Sequence, residues 1–219
     1  MIDAVIFDMD GVIVNSEPIY QKIEKEMFGE LDIRVDPGMY RTFVGLKTRE
    51  MWRILVDEFH LPHHPADLDQ EEEKRYLDAV LQKDGMMPVD GSIRLIRSLR
   101  DQGYGLALAS SNTLRAIRAV LEKFDLGGCF PIVMSGDQVT KSKPDPEIFI
   151  TTARLLKHPP ENCLVIEDSS NGIIAARKAG MKCIAYENGH TGIQNLSDAD
   201  LIVRDLRDIT HGIIQNNFK

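Results

Sequence analysis

Residues 4–10 read AVIFDMD, an unbroken apolar run that ends in two aspartates two positions apart and is followed by Gly11. A continuous apolar run of strand length, rather than an alternating one, suits a parallel sheet covered on both faces. Such a strand delivers Asp8 and Asp10 at its carboxyl end, where shelter stops. Carboxylates there lose water and repel each other, so something positive has to compensate them. If the strand continued through Asp10, both side chains would leave the same face about 6.5–7 Å apart.

The same kind of run recurs as GLALAS (105–110), IVMSG (132–136), CLVIED (163–168), KCIAYE (182–187) and DLIVR (200–204). Between the later runs, residues 92–102, 113–124, 147–157 and 170–180 carry apolar side chains at three- and four-residue steps, with Gly103 and Gly180 where helices should stop. Strand alternating with helix predicts βαβ units and an α/β fold with a doubly wound parallel sheet. Residues 15–87 break that rhythm. They carry helical patterns at 17–28, 48–59 and 69–83 and no convincing strand. The expected organisation is a catalytic core of residues 1–14 plus 88–219, with a helical cap domain of residues 15–87 inserted after the first strand.

The chain has 219 residues and a formal net charge of −8, which argues against a nucleic-acid or anionic-membrane partner. No apolar run reaches the roughly 18 residues of a membrane helix, since Asp8 interrupts the first, and no basic stretch of a signal peptide precedes it. Three cysteines without metal-type spacing suit a reducing compartment. The expectation is a cytoplasmic monomer. His60, His63 and His64 are expected on a loop surface, Trp52 in packing, and the acidic run 69–73 on a solvated helix face.

In open parallel sheets, ligands bind beyond the carboxyl ends of the strands. The residues there are Asp8 and Asp10, then Ser110, then Glu167 and Asp168, with Lys143 in the turn SKPDP. Four converging carboxylates call for a cation, and an all-oxygen set selects a hard ion such as Mg²⁺. Lys143 and Ser110 would add a positive charge and a donor suited to phosphoryl oxygens. Taken singly, each motif is an ordinary turn or helix cap. Their occurrence together, in order and at strand ends, carries the reading.

With those residues in view, the chain resembles the haloacid dehalogenase superfamily, in its β-phosphoglucomutase-like branch with a helical cap. The resemblance rests on FDMDGVIVNSEP (7–18), LALASSN (106–112), SKPDPEIF (142–149) and VIEDSSNGIIAARKAG (165–180). It implies a core sheet of order 5-4-1-2-3 and a Mg²⁺-dependent aspartyl-phosphate mechanism on a small phosphorylated metabolite. Asp8 would be the nucleophile and Asp10 the acid and base. Asp8, the Asp10 carbonyl and Asp168 would hold Mg²⁺, with Glu167 as ligand or support. Ser110 would bind the transferring group and Lys143 would neutralise Asp8 and that group, with Asn112, the Met9 amide and Ser111 beside it, and the cap would hinge near 14–16 and 84–88. Two departures from a mutase stand out. Tyr20 occupies the position of a cap histidine, and in Gly45-Leu46-Lys47-Thr48-Arg49 the phosphate-gripping arginine is one step late, which leaves Lys47 and Arg49 as substrate-binding candidates. These changes favour a phosphatase of a sugar phosphate, with a β-phosphoglucomutase as the alternative. A receiver-like signalling module would need neither a lid nor Asp10, and a metal-free dehalogenase would not need the Asp10, Glu167 and Asp168 cluster.

Overall fold

The computed structural model describes residues 1–43, 46–82, 85–189 and 194–218. Six strands form one parallel sheet: β1 (Ala4–Phe7), β2 (Gly105–Ala109), β3 (Ile132–Met134), β4 (Cys163–Glu167), β5 (Lys182–Tyr186) and β6 (Leu201–Val203). Their order is β3-β2-β1-β4-β5-β6, which contains the expected 5-4-1-2-3 core and adds β6 at one edge. β1 is thus central, with β2 and β4 on its two sides.

Alternation along β1 divides the core in two. Ala4 and Ile6 join Ala107, Ala109, Val165 and Cys183 against apolar residues of α7 (Glu147–Leu156) and α8 (Ser170–Lys178). Val5 and Phe7 join Leu106, Leu108, Leu164 and Ile166 against α5 (Ser92–Asp101) and α6 (Leu114–Lys123). Every residue of β1 is buried, as a strand with helices on both faces must be. The C-terminal helix α9 (His211–Asn217), which the sequence reading did not anticipate, adds Ile214 to the second cluster.

Among the described residues between β1 and α5 lie four helices: α1 (Glu17–Glu30), α2 (Pro37–Phe43), α3 (Thr48–Phe59) and α4 (Pro65–Leu81). Helix α2 also went unread, because seven residues hold too few turns for a periodic signal. Trp52, Leu55, Tyr76 and Val80 pack together and continue the cluster on the Phe7 face of the sheet. Helix α4 is fixed to α6 by Lys123, whose ammonium donates to the carbonyls of Val80 (2.7 Å) and Gln82 (2.6 Å). The three histidines are exposed, and two have local work. His60 ends α3 in the left-handed conformation, and the His64 ring accepts from the Ala66 amide at the start of α4. The acidic run is not a solvated face throughout. Glu72 is 1% exposed and accepts from the Trp52 indole, because α4 turns that position toward α3.

Among the described residues no helix is long and apolar enough to cross a membrane.

Phe7 is 1% exposed and meets Phe130 edge-on at 5.9 Å. Phe7→Ala is expected to cost about 3–5 kcal/mol in urea unfolding. A loss below about 1 kcal/mol would contradict the central position of β1.

Candidate active site

Parallel register sets the site. Phe7 pairs with Leu108 on one side and Ile166 on the other, so Asp8 emerges level with Ala109 and Glu167. The Asp8 amide still donates to the Ile166 carbonyl (3.0 Å), but the strand stops there and does not run on through Asp10. Residues 9–14 instead fold back, with the Ile13 and Val14 amides donating to the Met9 carbonyl (2.8 and 3.1 Å). Gly11 makes this turn possible at φ +76°, and a Cβ there would lie 1.9 Å from Asp168 Oδ2. The Asn188 amide donates to the Gly11 carbonyl (2.8 Å) and holds the turn from beyond β5. Asp8 and Asp10 thereby face one cavity through a turn rather than through the pleat.

Lys143 lies beneath Asp8, 2% exposed. Its ammonium donates to Asp8 Oδ1 (2.6 Å), Glu167 Oε1 (2.8 Å) and the Ala109 carbonyl (3.4 Å), which uses all three N–H groups. Burial alone would lower the ammonium pKa, but Asp8 and Glu167 hold it above its usual value. Glu167 is saturated on its other oxygen, where Oε2 accepts from the amides of Asp168 and Ser169 (2.8 Å each) and the Ser169 hydroxyl (2.9 Å). Ser169 also caps α8 through the Gly172 amide (3.0 Å). The helix must come this close, because a Cβ on Gly172 would fall 1.7 Å from Glu167 Oε1.

One ammonium does not balance these acids. Burial raises Asp8 to about 8, with Lys143 opposing and Glu167 and Asp10 adding to the rise. Burial likewise raises Asp168, with Glu167, Asp8 and Asp10 reinforcing it. Asp168 is 3% exposed and its Oδ2 is buried without a hydrogen-bond partner. Asp8, Glu167 and Asp168 each offer an oxygen within 4.8 Å of the others. An orphaned carboxylate oxygen within an all-oxygen set fits a hard divalent cation such as Mg²⁺.

Asp10 Oδ2 accepts from the Asn112 side-chain amide (2.7 Å) and from Ser110 Oγ (3.4 Å), while Oδ1 is buried and unpartnered. Burial raises the Asp10 pKa, with nearby Ser16, Asn112, Lys143 and Ser110 opposing the rise. Tyr20 of α1 donates to Asn112 Oδ1 (2.7 Å) and stacks on Tyr76 at 4.7 Å. Ser111 and Asn112 line the cavity, whereas Ser110 is fully buried beneath it. Lys47 and Arg49 line an adjoining cavity instead, and the Lys47 ammonium donates to the Val139 carbonyl (2.7 Å). Gly45 and the hinge position Asp84 lie outside the described residues.

The sequence reading missed what α1, α2 and α4 add to the cavity lining, where Glu17, Glu24 and Glu72 face in with Tyr40. Tyr40 donates to Glu24, the Gln21 amide donates to Glu17 (2.9 Å) and the Trp52 indole donates to Glu72. The spacing Glu17, Tyr20, Glu24 is i, i+3, i+7, so one face of α1 carries all three.

The family model of haloacid dehalogenase-like hydrolases matches residues 5–186. The chain is 32% identical to a phosphorylated carbohydrates phosphatase of Thermotoga maritima, over 83% of each protein. It is 29% identical to a β-phosphoglucomutase of Bacillus subtilis, over 99% of this chain and 95% of that one. It is 30% identical to a bifunctional riboflavin kinase/FMN phosphatase of Arabidopsis thaliana over 94% of its length, but spans only 54% of that relative. A crystal structure of CbbY from Rhodobacter sphaeroides in complex with phosphate superposes with a TM-score of 0.84 at 27% identity, covering 94% of this chain and 95% of that one.

Two outcomes test the site as built. Gly172→Ala has to displace the Glu167 carboxylate from Lys143, so both unfolding stability and phosphoryl-transfer activity should drop, the former by about 1–3 kcal/mol. Wild-type values for both would contradict that packing. Burial also raises Glu24 from 4.5 to about 7 against its Tyr40 bond. A carboxyl group raised in the folded state favours folding when protonated, so its contribution is complete below pH 4.5 and lost as pH rises through about 7. Glu24→Gln should therefore gain stability on wild type between pH 4.5 and 8, by at most about 3 kcal/mol in urea unfolding at both values. Parallel pH profiles would show that Glu24 is not desolvated.

Proposed function

The chain belongs to the haloacid dehalogenase-like hydrolases, in their β-phosphoglucomutase-like branch, and is an enzyme of phosphoryl transfer; from that premise we propose a Mg²⁺-dependent phosphatase that hydrolyses a small phosphorylated metabolite, a sugar phosphate, through an aspartyl-phosphate intermediate. One observation carries the reading: Asp8 is held at the end of β1 by Lys143 while Asp10 turns an unpartnered Oδ1 toward the same cavity.

Lys143 occupies Asp8 Oδ1, which leaves Oδ2 to bond phosphorus as the bond from phosphorus to the alcohol oxygen breaks. Asp10 delivers its proton from Oδ1 to that leaving oxygen, with Oδ2 anchored by Asn112. The ionised Asp10 then takes a proton from water as the water oxygen attacks phosphorus, which releases phosphate and restores both aspartates. Ser111 and Asn112 bind the phosphoryl oxygens, Lys143 contributes its positive charge beside Asp8, and Ser110 supports Asp10. Mg²⁺ would be held by Asp8, Asp168 and the Asp10 carbonyl, with Glu167 orienting Lys143 and the loop behind it, and would supply positive charge for the phosphoryl oxygens.

Residues 15–87 form a cap over the core of residues 1–14 and 88–219. Both connections run side by side, because Val14 bridges to Pro88 and the Asn15 amide donates to the Met87 carbonyl (3.0 Å), a placement suited to a hinge. Such a lid excludes water and limits the substrate to a small molecule.

The test is phosphate release from a panel of sugar phosphates with Mg²⁺, with isomer formation from β-glucose 1-phosphate followed in parallel. Efficient release from one compound class is expected, and fast isomerisation with little release would make the enzyme a mutase. Asp8→Asn should lower turnover by at least about 10⁴-fold. Asp10→Asn should cost about 10²–10⁴-fold on alkyl phosphates and let phosphorylated Asp8 accumulate from an aryl phosphate. Turnover by Asp8→Asn near that of wild type would overturn the nucleophile assignment.

A further inference from the structure

We propose that Tyr20 is a positioning residue for the proton transfer: acting through Asn112, it holds Asp10 so that Oδ1 meets the leaving oxygen. This rests on the reading that Asp10 is the acid and base beside Asp8, and it adds a residue that acts on Asp10 from one side chain away.

Hydrogen bonds run in one direction along three side chains. The Tyr20 hydroxyl donates to Asn112 Oδ1 (2.7 Å), and Asn112 Nδ2 donates to Asp10 Oδ2 (2.7 Å). Ser110 Oγ adds a longer bond to the same Oδ2 (3.4 Å). These donors converge on one oxygen of Asp10, while Oδ1 is buried without a hydrogen-bond partner. The last torsion of an aspartate is broad, so nothing intrinsic to the side chain decides which oxygen it presents. The bonds to Oδ2 decide it, and they leave Oδ1 for the leaving group.

The Asn112 backbone is fixed independently, since its amide donates to Ser110 Oγ (3.1 Å) and its carbonyl accepts from the Gly136 amide (2.9 Å). The side-chain amide is not, because its last torsion is as broad as that of aspartate. Asp10 holds it from one side and Tyr20 from the other. Donation onto Oδ1 also polarises the amide and strengthens the N–H that Asp10 receives. Tyr20 is in turn well placed to hold. Its ring stacks on that of Tyr76, with 4.7 Å between centroids and 16° between planes, and Tyr76 is 1% exposed. Its amide donates to the Ser16 carbonyl (3.0 Å) at the start of α1. Burial, with Tyr76, Asp10 and Glu72 nearby, pushes the Tyr20 phenol well above its usual pKa, so the hydroxyl keeps its proton and serves to hold rather than to exchange. Asn112 lies 92 positions beyond Tyr20, in the loop after β2. The chain of bonds is therefore complete only while α1 is seated on the core.

The experiment measures kcat/KM for substrate consumption with Mg²⁺, which covers the steps up to phosphorylated Asp8. Two phosphomonoesters are compared: the sugar phosphate that the wild type consumes fastest, and 4-nitrophenyl phosphate, whose leaving group needs no proton. Tyr20→Phe keeps the stacked ring and removes only the hydroxyl. It should lower the ratio of sugar phosphate to aryl phosphate by about fivefold or more, and Asn112→Ala should lower it at least as far. Added to Asn112→Ala, Tyr20→Phe should move the ratio by less than about twofold, because Tyr20 acts through Asn112. Equal losses on both substrates in Tyr20→Phe, as a merely structural role would give, or the full loss recurring in the Asn112→Ala background would overturn the inference. The two readings fail separately. A ratio lowered by Asp10→Asn but not by Tyr20→Phe removes this inference alone. A ratio lowered by Tyr20→Phe in an enzyme that isomerises the sugar phosphate and releases little phosphate removes the phosphatase reading alone. A ratio unmoved by Asp10→Asn removes the acid assignment and this inference with it.

Discussion

Lys143 and the two carboxylates it joins, Asp8 and Glu167, are the contact on which the rest of the site depends. Taking three charges out of water costs several kcal/mol for each ion, and close geometry with full hydrogen bonding is what offsets it. Both conditions are met. Every Lys143 N–H is used, and Glu167 is saturated by two amides and a hydroxyl at the start of α8. The strand register brings the acids level, the Gly11 turn fits against Asp168, and Gly172 leaves room for Glu167.

The compensation is incomplete, and that incompleteness is where function resides. Asp168 Oδ2 and Asp10 Oδ1 have no protein partner, and Asp8 is held near 8 by burial despite its bond to Lys143. Buried groups left unpaired are costly to a fold and useful to an enzyme, and in the proposed mechanism the missing charge would come from the cation. Glu17, Glu24 and Glu72 line the same cavity but accept from neutral donors, Gln21, Tyr40 and Trp52.

Much of this was legible in the sequence, for physical reasons. A central parallel strand has to be apolar throughout, so AVIF stood out, and the other five strands were found to within about two residues at either end. Strand ends meet at one edge of a parallel sheet, so Asp8, Ser110, Glu167 and Asp168 could be brought together without knowing any contact. The route from Asp8 to Asp10 was not legible, because a pleat and a tight turn both place residues i and i+2 near each other, and only the Gly11 φ decides between them. Glu72 was misread because its partner Trp52 is twenty positions away, and an acid within an acidic run gives no sign of pointing inward. Glu17, Tyr20 and Glu24 did leave a signal, a polar stripe on the face of α1 that also buries Ile23 and Met27. Lys47 and Arg49 could be named but not aimed, since charge alone does not say which of two adjoining cavities a side chain enters.

In the proposed mechanism the buried carboxylates at the end of β1, which exceed what Lys143 balances, take up a divalent cation through Asp168. Calorimetric titration of Mg²⁺ into the wild-type protein and into Asp168→Asn tests it most directly. Binding of one ion per wild-type chain is expected, with affinity weakened by about tenfold to a hundredfold or more in the variant. No Mg²⁺ binding by the wild type, or the same affinity in both proteins, would contradict it.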